Sequence, residues 1–424
     1  MRRTTSLRWT TLGAWALFLA ACSGDVPVVE TDEWTAVHDT IGDTLVVRTV
    51  SGSVWARPAA LVPEVSIGVL DGEAAYMLGS IRSLAVAPDG RIYAMDQRPI
   101  GLREYAPDGT FIRMVGGEGE GPGEFKQPDG GLAVLSDGRV AVRDPGNSRL
   151  SLFSPEGEFL DSWQIRGGFN TGQRMARDHE DNLWTTVLLD PEASVFDWRM
   201  GLAQYDSEGT VGDTLPEPDW DYDPPTISGQ ADGSSSISPV PFSPDEHWAM
   251  SPLGYIVAGV SDAYSFTLFR RDAAPVRIES ATAPVRVASG EASYARDRAT
   301  RNMTSNYPGW RWNGPDVPDE KPAYRGLYVG EEGRIWVWLS GEGYEVDNPD
   351  FDPAEQDSPR TIWRERAAFD VFEPDGQFLG RVAVPDDFSR YPVPIFDGER
   401  VWAVTADELG VQRIVRYSIA FESP

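Results

Sequence analysis

Two stretches decide the fold: residues 81–116, IRSLAVAPDGRIYAMDQRPIGLREYAPDGTFIRMVG, and residues 131–163, GLAVLSDGRVAVRDPGNSRLSLFSPEGEFLDSW. They share one order. A short apolar run leads to a turn at Gly90 or Gly138. A second run, through Ile92-Tyr93 or Val140-Ala141-Val142, ends at Asp96 or Asp144. A third ends in an aromatic, Tyr105 or Phe153, and a Pro-Asp-Gly or Pro-Glu-Gly turn leads to a fourth. Asp-Gly and Glu-Gly between alternating runs signal tight hairpins, because glycine supplies the positive φ such turns need. The runs alternate with period two, as in Leu150-Ser151-Leu152-Phe153, which is the pattern of strands with one buried face. Four short antiparallel strands every 40–50 residues make the blade of a β-propeller.

Working outward, turns equivalent to Gly90 fall at Gly138, Asp181, Gly254, Gly333 and Glu399. Third-strand aromatics equivalent to Tyr105 fall at Phe153, Tyr205, Phe269, Phe372 and Tyr417. That is six units, and the sixth lacks a fourth strand before the sequence ends at Pro424. Val65-Ser66-Ile67-Gly68 matches the run before the second unit, so residues 64–70 are expected to complete the last one. The expected fold is all-β: a six-bladed propeller of four-stranded antiparallel blades, closed by an N-terminal strand that removes the open sheet edge.

Asp96, Asp144, the stretch Asp144-Pro145-Gly146-Asn147-Ser148-Arg149 and the glycine-rich run Gly116–Phe125 make residues 82–163 resemble NHL repeats. The wider chain is similar to bacterial six-bladed propeller lipoproteins. The propeller is assigned to 64–424, with insertions at 216–241, 290–321 and 340–366. The first is rich in Pro, Asp and Ser and reads as an extended loop. Residues 290–306, GEASYARDRATRNMTSN, read as a short helix, and the acidic stretch with Asp347, Asp350, Asp352 and Asp357 reads as a loop. Residues 41–63 form an N-terminal extension whose alternation allows a hairpin outside the ring.

The N-terminus has its own logic. Arg2, Arg3 and Arg8 precede an apolar run, Leu12–Ala21, too short to span a bilayer. The charged start and short apolar run identify a signal peptide over residues 1–21. Leu19-Ala20-Ala21-Cys22 resembles the lipobox of bacterial lipoproteins. That resemblance implies acylation at Cys22, a tether over 22–40 and membrane attachment through lipid. Ser23 after the cysteine implies sorting to the outer membrane, facing the periplasm or the cell surface. Cys22 is the sole cysteine, so no internal disulfide can form. The chain has 424 residues, with 37 Lys+Arg against 66 Asp+Glu. This excess of acid excludes a nucleic-acid partner, which requires a basic surface. No feature calls for an oligomer, and a monomer is expected.

Aligning the turns places Arg82, Gly130, Gln173, Glu246, Arg325 and Tyr391 at matching positions where inner strands begin, with Ser83, Arg174 and His247 beside them. Arginines converging there would bind carboxylate or phosphate. Alternatively they pair with Glu246, Asp96 or Asp144 and lock neighbouring blades. His247 is the one histidine on an inner strand and reads as structural, because a single imidazole cannot make a His-rich zinc site. Trp184, Trp336 and Trp402 match Tyr93 and belong to blade cores. Trp310 and Trp312, in an insertion, either form an exposed partner contact or pin the loop to its own ring. Asp219–Asp223 lacks the ligand order of an EF-hand and reads as a solvated acidic run.

Gluconolactonase-like propellers resemble this fold at a distance. They imply a divalent metal on the axis, for which Glu246 is one candidate ligand, but matching asparagines are missing from the other inner strands. The sequence therefore points first to an envelope-anchored binding or scaffold module with no cofactor, for a protein, peptide or glycan. A metal-dependent, lactonase-like hydrolase or lyase is the alternative, and whether the protein is an enzyme stays open.

Overall fold

The computed structural model describes residues 33–165, 169–190, 192–193, 198–231, 234–354, 358–407 and 409–421. The signal stretch, Cys22, the tether as far as residue 32, and Asp357 lie outside them. Among the described residues the chain is β throughout, apart from one α-helix, Ser289–Asn306, and a single 3-10 turn, Pro145–Asn147.

The strands fall into successive four-stranded antiparallel units. The first is Ile81–Val86, Ile92–Gln97, Ile100–Tyr105 and Phe111–Val115; the second is Leu132–Val134, Val140–Asp144, Arg149–Phe153 and Phe159–Gln164. The third runs Ala176–Arg177, Leu183–Leu188, Met200–Tyr205, Val211–Pro216, and the fourth Glu246–Met250, Ile256–Val260, Ser265–Phe269, Val276–Ser280. The fifth is Tyr324–Val329, Ile335–Leu339, Ala368–Phe372 and Phe378–Ala383. In the last unit, Ile395–Asp397, Arg400–Ala406 and Gln412–Phe421 are joined by Ala59–Ile67 from the N-terminal side.

Positive φ explains the spacing of the turns. Gly90, Gly138, Gly254 and Gly333 sit at φ between +82 and +92°, and Asp181 takes the same role at +62°. In the last unit the left-handed residue is Gly398, at +59°, one position before the expected Glu399. The pairing slides by one because glycine adopts this conformation without steric cost.

Packing between units is apolar. Tyr93, Met95, Leu102 and Phe125 meet Leu132, Val140 and Phe153 between the first and second units. Leu150, Leu152 and Trp163 meet Leu183, Val187 and Tyr205 between the second and third. Similar clusters join the fourth to the fifth, the fifth to the last and the last to the first. Trp184, Trp336 and Trp402 are all buried, as is Tyr93. Phe269 departs from the expectation. It holds the same register position, opposite Ile256, yet is 41% exposed, and Phe266 and Leu268 fill the core instead.

The N-terminal segment runs along outer edges. Thr35–Ile41 and Thr44–Ser51 form a hairpin whose second strand pairs in parallel with Val276–Ser280, the outer strand of the fourth unit. This hairpin starts inside the stretch read as tether. Trp55 N–H then bonds the Leu379 carbonyl at 2.9 Å on the fifth unit. Ala59–Ile67 follows, pairing with Gln412–Phe421 along its length and, at Ala59 and Ala60, with Val382 and Ala383. The pairing strand thus begins five residues earlier than the sequence suggested.

Two insertions expected as loops are hairpins: Thr226–Ala231 with Ser234–Pro239, and Gly343–Asp347 with Thr361–Glu365. The first is anchored beneath the helix, where Ile227 and Val240 pack on Met303 and Tyr307. Burial of these few apolar groups fixes a serine-rich strand that carries no alternating signal of its own.

Candidate functional site

Asp96 and Asp144, which end the second strands of their units, organise the loops entering the inner strands. Asp96 accepts N–H bonds from Gly79, Ser80 and Arg98 at 2.8–3.0 Å, and lies 3.2 Å from Arg103. Asp144 accepts from Lys126 and Gln127 at 2.9 and 2.8 Å, and from the Asn147 amide. Neither pairs with an arginine at the inner-strand starts, contrary to the locking arrangement the sequence suggested. Their lone pairs are taken by backbone N–H groups that tight loops leave without partners.

Among the described residues, no apolar cluster joins the third unit to the fourth. A cavity of about 480 Å³ opens there, and Gln173, Arg174, Glu246, His247 and Arg325 all line it. Apolar side chains of the two units, among them Met200, Leu202, Trp248 and Met250, face the same space. The sequence-predicted residues therefore meet, with the exception of Arg82. Its guanidinium stands 5.3 Å from the Tyr391 ring centre, and its Nε is buried without a hydrogen-bond partner among the described residues. Tyr391 in turn packs so closely on Gly172 that a Cβ there would fall 2.9 Å from the ring.

The arginines are paired, though to carboxylates the sequence reading did not name. Arg174 bonds Glu331 at 2.6 Å, which lies on a turn of the fifth unit. Arg325 bonds Glu365 at 2.9 Å, on the inserted hairpin. Both carboxylates come from turns or insertions far away in sequence, so alignment of the repeats could not reveal them.

Charge in this cavity is divided. On one side Glu246 faces Glu217, Asp219, Asp223 and Asp245. Loss of hydration, with repulsion from these neighbours, pushes the Glu246 carboxyl up to about 7. Burial also raises Glu217 and Asp245. On the other side burial, reinforced by Arg390 and Arg325, pushes the His247 imidazole down to about 4. His247 is therefore neutral at pH 7. It packs against Tyr324, with ring centres 5.5 Å apart, and forms no hydrogen bond to a described residue. Among the described residues no three His, Cys, Asp or Glu side chains are arranged to share a metal ion. Glu246 thus has acidic neighbours but not a set of co-ligands.

A second cavity, of about 560 Å³, lies between the helix, the inserted hairpins and the inner strands of the fourth and fifth units. His247 and Arg325 form part of its wall as well. The helix is fixed there by a buried cation: Lys321 bonds Glu291 of the helix, Glu365 at 3.1 Å and the Gly341 carbonyl at 2.9 Å. Trp310 and Trp312 act as pins rather than as an exposed patch. Trp310 donates to the Ser228 carbonyl at 2.7 Å, Trp312 to that of Gly314 at 2.9 Å, and both pack on the Ile227–Tyr307 cluster.

No protein-family model matches the chain, and no curated protein sequence does. Solved structures do resemble it. A member of the DUF4221 family from Bacteroides vulgatus is 12% identical, with 87% of this chain and 99% of that one covered and a TM-score of 0.50. A gluconolactonase from Xanthomonas campestris is 13% identical over 86% and 99% of the two chains, with a TM-score of 0.40. A streptogramin B lyase is 10% identical over 87% and 100%, with a TM-score of 0.35. At such identities the likeness is one of fold alone, and the fold is propeller-like.

Proposed function

We propose that this chain is a six-bladed, NHL-like propeller, closed by Ala59–Ile67, that serves as a binding or scaffold module of the bacterial envelope. A lipid on Cys22 holds it at the outer membrane, facing the periplasm or the surface, as a monomer. Its ligand, a protein segment, peptide or glycan, enters the cavity between the third and fourth units. One observation carries this reading: a repeat that is sealed by apolar packing at its other junctions opens here, and Gln173, Arg174, Glu246, His247 and Arg325 line the opening. A cleft of several hundred Å³ with apolar walls and a few convergent polar groups is the usual form of a binding site. The metal-dependent hydrolase or lyase reading has less to rest on, because Glu246 stands without a co-ligand set among the described residues.

The test is a thermal-shift screen of the full chain against envelope oligosaccharides and peptides, repeated with Arg174→Gln and Met250→Trp. A ligand that stabilises the parent chain and loses its effect in both variants supports the assignment. Stabilisation undiminished in both moves the site elsewhere. Turnover of lactones or esters that depends on a divalent ion and is lost in Glu246→Ala replaces the binding reading with the enzyme reading. For the anchor, Cys22→Ala is expected to release the protein from the membrane fraction, and retention there would overturn lipidation.

A further inference from the structure

The second cavity has walls of an unusual kind for so acidic a chain. Around it stand the cations Lys321, Arg325, Arg390 and Arg298 and the carboxylates Glu291, Glu365 and Asp245. Lys321 is consumed by Glu291 and Glu365, and Arg325 by Glu365. Among the described residues neither Arg298, exposed on the helix, nor Arg390 has a carboxylate partner, and Arg390 is held in place by other contacts. Its Nη1 donates to the Arg325 carbonyl at 2.9 Å, and its guanidinium lies 5.1 Å from the Trp338 ring centre. A guanidinium has five N–H donors. These contacts fix its position and leave donors over, at the edge of a cavity it lines. His247 lies in the same wall, also without a hydrogen-bonding partner among the described residues. The remaining lining is largely apolar: Tyr294 and Met303 from the helix, Phe242 and Trp363 opposite.

We propose that this cavity binds a monocarboxylate with an aromatic or aliphatic body, its carboxylate held by Arg390 and by His247, its body against Tyr294, Phe242 and Trp363. The lining is balanced, with Arg298, Arg325 and Arg390 against Asp245, Glu291 and Glu365, so a monoanion adds a single charge, which falls beside Arg390. A dianion such as phosphate would meet Glu365 and Asp245 with its second charge uncompensated. Guanidinium suits the planar carboxylate, and a neutral imidazole adds a donor without a second charge to desolvate. The volume accommodates a ligand of small-molecule size. This cavity shares His247 and Arg325 with the one between the third and fourth units, but Arg390 lines this one and not the other, so the Arg390 variants separate the two assignments.

His247 makes the experiment direct, because the chain contains only three histidines. The full chain, labelled with carbon-13 in its histidines, is titrated with 4-phenylbutyrate and followed by NMR. The groups around His247 are Arg325, Arg390, Tyr324, Asp245 and Glu246. A carboxylate bound between Arg390 and His247 changes the surroundings of the imidazole directly. The expected result is a saturable shift of the His247 resonances. Neutral 4-phenylbutyramide and inorganic phosphate are expected to leave it unmoved. Arg390→Gln is expected to weaken binding about tenfold, and Arg390→Lys, which keeps the charge and guards against misfolding, by less. No response of His247 to the carboxylate would overturn the proposal. So would an equal response to the amide or to phosphate, or undiminished binding by a folded Arg390→Gln variant.

Discussion

Replacing Lys321 by alanine is expected to loosen the helix Ser289–Asn306 from the fifth unit. Lys321 is fully buried, and its ammonium neutralises Glu291, whose side chain is 2% exposed. Glu365 has a second cation, Arg325 at 2.9 Å, so the substitution strands one carboxylate and not two. Removing one partner from a buried pair costs about 3–5 kcal/mol, and the single stranded group places Lys321→Ala near 3. That figure corresponds to roughly a hundredfold change in an opening equilibrium. Hydrogen exchange by mass spectrometry is the assay. Amides of the helix and of the hairpin 343–365 should exchange about a hundredfold faster, while those of the first and second units keep their protection. Lys321→Met combined with Glu291→Gln should recover much of the loss, because no ion is then buried alone. Unchanged exchange in Lys321→Ala, or no recovery in the double variant, would refute this account of how the helix is held.

Three further expectations follow from the geometry. Gly209 and Gly254 both sit at φ +82°, yet a Cβ at Gly254 has only ordinary contacts, the nearest 3.7 Å away on His179, while one at Gly209 strikes the Trp163 ring. Gly254→Ala should therefore cost about 1–2 kcal/mol for conformation alone, and Gly209→Ala a further 1–3 for overpacking, as read by urea denaturation. Because the Glu246 carboxyl is raised from 4.5 to about 7 in the fold, the folded state binds more protons than the unfolded one between those values. Its contribution thus makes stability fall as pH rises through that window, and Glu246→Gln should remove that component of the urea midpoint's pH dependence. His247 acts in the opposite sense. Lowered from 6.5 to about 4, it binds fewer protons in the fold, so its contribution is whole above 6.5 and is lost as pH falls toward 4. His247→Gln should flatten this loss, and NMR should find the imidazole neutral at pH 6.

How much of this was legible in the sequence depends on where each partner sits in the chain. Turns were legible because a left-handed residue must be supplied locally, and Gly90, Gly138, Gly254 and Gly333 supply it. Gly398 stands where Glu399 is expected because the last unit's turn, between the paired Asp397 and Arg400, is shorter than that between Val86 and Ile92 in the first. Meeting positions were legible too: equal places in a repeat converge, and Gln173, Arg174, Glu246, His247 and Arg325 do so. Their partners were not. Glu331 lies 157 residues from Arg174, and Glu365 belongs to an insertion that no repeat pattern describes. The opening between the third and fourth units was equally hidden, because it arises where apolar packing is missing across two units whose strands each look ordinary. Arg390 escaped notice because it lies one residue before the aligned Tyr391 and takes its place from Arg325 and Trp338.

The edge-lying N-terminal segment has a consequence for synthesis. Residues 33–67 leave the ribosome before any strand outside this segment with which they pair. The hairpin waits for residues 276–280, and Ala59–Ile67 waits for residues 382–383 and for 412–421 near the far end. Such distant pairings are slow to form, and they leave an unpaired strand exposed while the chain is incomplete. The last unit cannot exist on a nascent chain: its outermost strand is made first and its other three last. A chain terminated before residue 412 would hold a complete first unit and an N-terminal strand left with at most residues 382–383 to join. Such a fragment should be a ready target for chaperones and proteases. Quality control of this protein is thereby tied to the completion of translation.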